Sequence, residues 1–145
     1  MKTVKEIEIK LQNKPGALSE INELLGANGI NILALTIRTS GGAGTLDFVA
    51  TDPARVLNIL ESGGYKPKLK EVLAAEAPQH PGALHALLKP LKLAGVNIEY
   101  IYSSIGSHGV GDKTIILLGV DNLAAAHDAL TREWIQLYGE ELYNF

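Results

Sequence analysis

Four histidines are the first residues in this chain with chemistry to offer, as metal ligands or proton carriers. His80 and His85 stand five positions apart, a spacing that on a helix points two side chains away from one another. His108 sits among glycines, and His127 falls on the polar face of a predicted helix. No HxxxH or HExxH pair occurs and no carboxylate joins the histidines at ligand spacing, so no metal site is expected. The glycines of Gly106-Ser107-His108-Gly109-Val110-Gly111 would suit a phosphate cradle, but they lie between two predicted strands with no helix start facing the anion. That segment reads as a hairpin loop. Ser103 and Ser104 have neither a GxSxG elbow nor a histidine beside them, and read as strand residues. Tyr100 and Tyr102 alternate as base-stacking aromatics would, but Glu99 precedes them, no basic residue interleaves, and packing is the better reading. Glu140-Glu141 reads as a solvated surface. There are no cysteines, so thiol nucleophiles, thiolate metal sites and disulfides are all excluded. No nucleophile–base pair emerges, and neither catalysis nor a cofactor is expected.

What the sequence does carry is a duplicated corner. Asn13-Lys14-Pro15-Gly16-Ala17-Leu18 returns as Gln79-His80-Pro81-Gly82-Ala83-Leu84, 66 residues on, and Gly29-Ile30-Asn31-Ile32 returns as Gly95-Val96-Asn97-Ile98 at the same offset. Thr51-Asp52 aligns with Val120-Asp121 at offset 69, which puts three extra residues of the second copy in its glycine-rich stretch. The corner has a purely structural use: Pro starts a helix, Gly permits close contact and Leu fills the core. It also has a chemical one. A helix start offers free N–H groups and a favourable dipole to a carboxylate. Gly16 and Gly82 let a ligand reach that backbone without a Cβ in the way. Asn31 and Asn97 each bring a donor and an acceptor, enough to address both ends of a zwitterion. Spacing and residue type leave the two readings balanced.

The elements that must position this corner follow from periodicity. Ile7, Ile9 and Leu11 alternate with charged residues as a half-buried strand does, and Leu18, Ile21 and Leu25 then recur at helical spacing until Asn28-Gly29. Residues 30–38 and 45–51 read as strands about the Gly41-Gly42 turn, and Asp52-Pro53 starts a helix carrying Val56, Leu57 and Leu60. Residues 65–69 close the unit as an edge strand protected by lysines and Pro67. The order is βαββαβ, and it repeats from about Val72, with the last strand at 134–138 or 141–143. Domains are expected at 1–70 and 71–145. Units of about 70 residues are marginal alone and should pack side by side. Pro90 interrupts the helix predicted over 81–94, where it removes a bond to the Ala86 carbonyl and should kink or shorten it.

Composition narrows the class. The chain has 145 residues, 46% hydrophobic and 20% charged, which excludes a disordered tail. Its formal charge of −3 argues against wholesale phosphate neutralisation, and no nucleic-acid partner is expected. No apolar run approaches the roughly 18 residues of a membrane span, and the first residues reach charge too soon for a secretory segment. A cytoplasmic protein without a membrane partner is the expectation.

Two βαββαβ units, each with [N/Q]-x-P-G-A-L at its first strand–helix corner and G-[I/V]-N-I opening its second strand, resemble tandem ACT domains over nearly the whole chain. The resemblance implies an α+β fold of two ferredoxin-like units with antiparallel sheets and helices on one face. It also implies an amino-acid-binding regulatory module whose ligand sits where the corner of one domain meets the second-strand Asn of another. The ligand-contacting positions it implies are Asn13, Gly16, Ala17, Leu18, Asn31 and Ile32, with counterparts Gln79, Gly82, Ala83, Leu84, Asn97 and Ile98. Serine-binding members carry a His where this chain has Leu11 and Ala77, so a serine site of that type is not implied. The expected protein is a non-catalytic homodimeric sensor, binding an amino acid or similar zwitterion and acting on a separate metabolic enzyme. The alternatives are a purely interactive subunit without a ligand, and a hydrolase of the acylphosphatase kind. The latter needs an Arg in its first loop, and Arg38, Arg55 and Arg132 all lie elsewhere.

Overall fold

The computed structural model describes residues 1–78, 80–105 and 113–144. Element order is β1 (Val4–Gln12), α1 (Ala17–Ala27), β2 (Ile32–Ser40), β3 (Ala43–Ala50), α2 (Pro53–Ser62) and β4 (Lys68–Pro78). Then follow α3 (Ala83–Leu93), β5 (Ile98–Ser103), β6 (Lys113–Val120), α4 (Leu123–Arg132), β7 (Leu137–Tyr138) and a 3₁₀ turn over Glu140–Asn144. The chain divides into two compact units, Lys5–Lys70 and a second made of Met1–Val4 with residues 71–145. No described helix is long and apolar enough to cross a membrane.

In the first unit β3 lies between β1 and β2, antiparallel to both, with Ile7 opposite Phe48 and Leu35 opposite Phe48 on the other side. The second unit orders its strands β7-β4-β6-β5, all antiparallel, the arrangement of a ferredoxin-like sheet. Each unit builds one core between its sheet and its two helices. Ile7, Ile9, Ile21, Leu25 and Ile30 of the first core correspond to Leu73, Ala75, Leu87, Leu91 and Val96 of the second, an offset of 66 throughout. Beyond the hairpin, Phe48, Val56 and Leu60 correspond to Leu118, Ala126 and Leu130, an offset of 70. Helix caps agree: the Asp52 side chain accepts from the Arg55 N–H, and the Asn122 side chain from the Ala125 N–H. The second copy thus carries four extra residues rather than the three read from Thr51-Asp52. Two capping residues of different type hid the true alignment.

Several local expectations need correction. Pro15 and Pro81 do not open their helices; both precede a glycine cap, and α1 and α3 begin at Ala17 and Ala83. The edge strand expected over 65–69 begins only at Lys68 and continues without a break to Pro78. Alternation of lysines with Tyr65, Pro67 and Leu69 set its start too early. Pro90 does not shorten α3, which runs three residues past it to Leu93. The final strand is Leu137–Tyr138, and the alternative over 141–143 lies in the 3₁₀ turn. The glycine-rich hairpin with His108 lies outside the described residues.

One feature of the first sheet was not foreseen. On the side opposite the helices, Glu6 and Asp47 are fully buried, and Lys70 Nζ stands 3.3 Å from oxygens of Glu6, Glu8 and Asp47. Arg38 Nη2 lies 2.9 Å from Asp47 Oδ2, though off hydrogen-bond alignment, and 3.4 Å from Glu8. Buried carboxylates are tolerable only with such partners. The alternating Glu6, Glu8 and Lys10 read as a solvated face, yet part of that face is closed.

Two predictions arise here. Trp134 has φ +59°, where the first unit has Gly64 at φ +88°, and the residue is 95% exposed. A bulky residue held left-handed costs about 1–3 kcal/mol. Part of that is returned by the greater unfolded freedom of glycine. Trp134→Gly should therefore raise stability by about 1 kcal/mol in a denaturant melt; a loss of stability would show that the indole contributes packing. The second concerns Tyr138, whose hydroxyl donates to Glu76 Oε1 at 3.0 Å. Burial first, and then the bond to Glu76, push its pKa up to about 12. The folded state thus keeps this proton where the unfolded chain, titrating near 10, has lost it, so the contribution is intact below pH 10 and lost as pH rises toward 12. Melts across that range should show Tyr138→Phe losing less stability with pH than the parent.

Candidate functional site

Both repeated corners are built around one backbone requirement. Gly16 and Gly82 have φ +86° and +84° and serve as N-caps without any side-chain cap. A residue with a Cβ resists this left-handed conformation, and that is why glycine follows proline in both copies. A Cβ built on either glycine meets no atom within 4 Å, so the backbone there faces open space. The corner is tied down from the side: the Asn13 N–H donates to the Gly42 carbonyl at 3.2 Å, and its amide Nδ2 to the Gly41 carbonyl at 3.4 Å. Ala17 and Ala83 are buried against their sheets, Leu18 is half-buried at the core margin, and Leu84 is 47% exposed. Gln79 lies outside the described residues. The two corners share a backbone and differ in their side chains.

The Asn motif is also held by its main chain. The Asn31 N–H donates to Thr51 Oγ1 at 3.0 Å, and the Thr51 N–H returns a bond to the Asn31 carbonyl at 3.0 Å. In the second copy the Asn97 N–H donates to Asp121 Oδ1 at 3.0 Å, and the Asp121 N–H to the Asn97 carbonyl at 3.1 Å. With the main chain so engaged, the side-chain amides of Asn31 and Asn97 are exposed and make no hydrogen bond among the described residues. Ile32 and Ile98 are half-buried beneath them.

Strand register sets how far apart the motifs lie within a unit. The corner follows Gln12, which pairs with Ala43, and Ile32 pairs with Ala50 at the other end of β3. At about 3.4 Å per residue these levels are roughly 24 Å apart. One unit therefore does not bring its own corner and its own Asn together.

At the first corner lies a cavity of about 310 Å³, lined by Lys10, Leu11, Gln12, Lys14, Ala17, Glu20 and Tyr65. This is the lower end of the roughly 300–1,000 Å³ usual for small-molecule sites. Lys10 Nζ donates to Thr45 Oγ1 at 3.0 Å, while Lys14 and Glu20 have no ion pair among the described residues. Sequence reasoning singled out Ala17 and passed over the charged lining. The available signal was the pair Lys14 and Glu20 on either side of the glycine, which chain reversal at Gly16 brings to one hollow. Among the described residues no His, Asp or Glu group is arranged to hold a metal. His80 precedes α3 rather than lying on it, with Nδ1 2.9 Å from the Pro81 carbonyl, and His127 Nε2 accepts from the Lys2 N–H at 3.2 Å. Tyr100 and Tyr102 stack with ring centroids 6.3 Å apart, and Tyr100 covers Gly119.

A family model described as an ACT domain pair matches residues 2–143. The chain belongs to that family. A solved protein of Bacteroides thetaiotaomicron is 28% identical, with a TM-score of 0.89, covering 99% of this chain and 97% of its own. The regulatory subunit of aspartate kinase from Thermus thermophilus shares 15% identity with a TM-score of 0.65, covering 92% of this chain and 94% of its own. The corresponding subunit from Thermus flavus shares 18% with a TM-score of 0.61, over 90% and 92%. The last two are likenesses of fold. No curated protein matches the chain. The ACT domain pair explains the duplicated βαββαβ order and the repeated corner together.

The glycine requirement can be tested directly. Gly16→Ala should cost about 1 kcal/mol and Gly16→Asn less, since Asn tolerates the left-handed region. Urea melts give both values. Equal losses for the two variants would mean that the backbone conformation is not what fixes glycine there.

Proposed function

We propose that this ACT domain pair is a non-catalytic sensor that binds an amino acid at its first-repeat corner and acts on a separate metabolic enzyme. The observation that carries this reading is the duplicated corner, where a left-handed glycine opens helix-start N–H groups to free space and an exposed Asn amide recurs in each copy. Those groups match a zwitterion: N–H donors for its carboxylate, amide oxygens for its ammonium. The ligand-contacting set is Asn13, Gly16, Ala17, Leu18, Asn31 and Ile32, with Gln79, Gly82, Ala83, Leu84, Asn97 and Ile98 as the second-copy set. Because corner and Asn of one unit lie at opposite strand ends, a site using both draws on a second domain, and in this proposal a homodimer brings the domains together. The fold shared with aspartate kinase regulatory subunits supports a role exerted on another protein.

The second reading, a subunit that only docks to a partner, draws on the 95% exposed Trp134 and 75% exposed Leu93. Thermal melts with each of the twenty amino acids separate the two. At free ligand about 100 times Kd, binding should stabilise the fold by roughly 2.7 kcal/mol. The ligand should be recovered unchanged, and light scattering should give the mass of two chains. A flat response from folded protein would favour the docking subunit.

A further inference from the structure

Resting on the homodimer of that reading, we infer that α1 of one chain packs antiparallel against α3 of the second copy, glutamates against lysines. The two helices hold the same place in their repeats and carry opposite charge. α1 has Glu20 and Glu23 and no cation, whereas α3 has Lys89 and Lys92 and no carboxylate. Glu23 and Lys89 are the same repeat position, 66 residues apart. α2 and α4 are not polarised in this way, with Arg55 and Glu61 on the one and Asp128 and Arg132 on the other. Glu20, Glu23, Lys89 and Lys92 are all exposed, and none has an ion pair among the described residues. Residues three apart are neighbours on one helix face, so each helix holds a self-repelling pair that gains from a partner of opposite sign. That partner is supplied by the same chain, and reciprocal exchange between two copies closes the pair.

Direction follows from the spacing of the charges. Both helices have 11 residues, about 16 Å at 1.5 Å per residue. Laid antiparallel with ends level, Glu20 falls opposite Pro90, between Lys89 and Lys92, and Glu23 falls opposite Leu87, close to Lys89. Laid parallel, Glu23 meets Lys89, but Glu20 meets Ala86 and Lys92 meets Gly26. Only the antiparallel arrangement answers both glutamates and both lysines, and charge complementarity of this kind fixes register. Leu93, one turn beyond Lys89 and 75% exposed, adds an apolar group that a single chain leaves in water.

Charge reversal tests the interface, with light scattering of the full chain across a dilution series and a melt of each variant to verify folding. Glu23→Lys and Lys89→Glu should each weaken the dimer at least about tenfold, and the double variant should restore it. Dimers unaffected by either reversal would overturn this interface and leave the sensor reading, decided by the amino-acid melts, intact. A double variant no better than the single ones would also overturn it, because the two side chains would then not face each other. A parent with the mass of one chain at every concentration would remove the homodimer itself. The chain has no cysteine, so Glu20→Cys and Lys92→Cys chains mixed with a short thiol crosslinker report the direction. That mixture should give a covalent pair, and a pair formed instead between Glu20→Cys and Ala86→Cys chains would overturn the antiparallel arrangement.

Discussion

The structure turns on a backbone conformation that only glycine adopts comfortably. At Gly16 and Gly82 the chain must pass through φ near +85° to convert an outgoing strand into a returning helix. That reversal fixes where α1 and α3 begin and which faces they present. From it follow the burial of Ile21 and Leu25 against Ile7 and Ile9, and of Leu87 and Leu91 against Leu73 and Ala75. The same conformation leaves no side chain over the helix start. Folding and the proposed ligand access thus ask for the same residue at the same place, which is why composition and spacing alone left the two readings balanced.

Duplication made the fold legible. A motif seen twice at one offset is a stronger signal than either copy, and the alternation of Ile7, Ile9 and Leu11 identified the face on which the core is built. What failed were boundaries set by residues with two roles. Pro15 suits a first helical position as well as the turn before a glycine cap, and only φ at Gly16 decides between them. Lys66, Lys68 and Lys70 alternate as a strand would, yet only the last two lie in β4. The Asp52 and Asn122 caps do the same work with different side chains, and sequence identity slipped the register by one.

The candidate site was legible in part, and the reason is physical. Gly16, Ala17 and Asn31 declare themselves by recurring, whereas Lys14, Glu20 and Tyr65 are inconspicuous until the chain reverses. Charges that do not repeat are invisible to a search for repeats, yet they are what makes one corner differ from the other. The buried Glu6 and Asp47 were missed for a related reason, since an alternating charged face looks solvated until Lys70 and Arg38 are seen closing it. The network joins β1, β2, β3 and the start of β4, and so links the strand that leads into the first corner to the rest of its unit.

The central claim is that the first-repeat corner is a ligand site rather than a folding device alone. Amide chemical-shift mapping tests it most directly, by titrating isotope-labelled protein with each of the twenty amino acids. The account predicts that the Lys14, Gly16 and Ala17 amides move together and saturate at one ligand concentration, with Asn31 following and the Gly82 corner changing less. Shifts confined to other surfaces, such as that around the exposed Trp134, with the first corner unmoved, would contradict it.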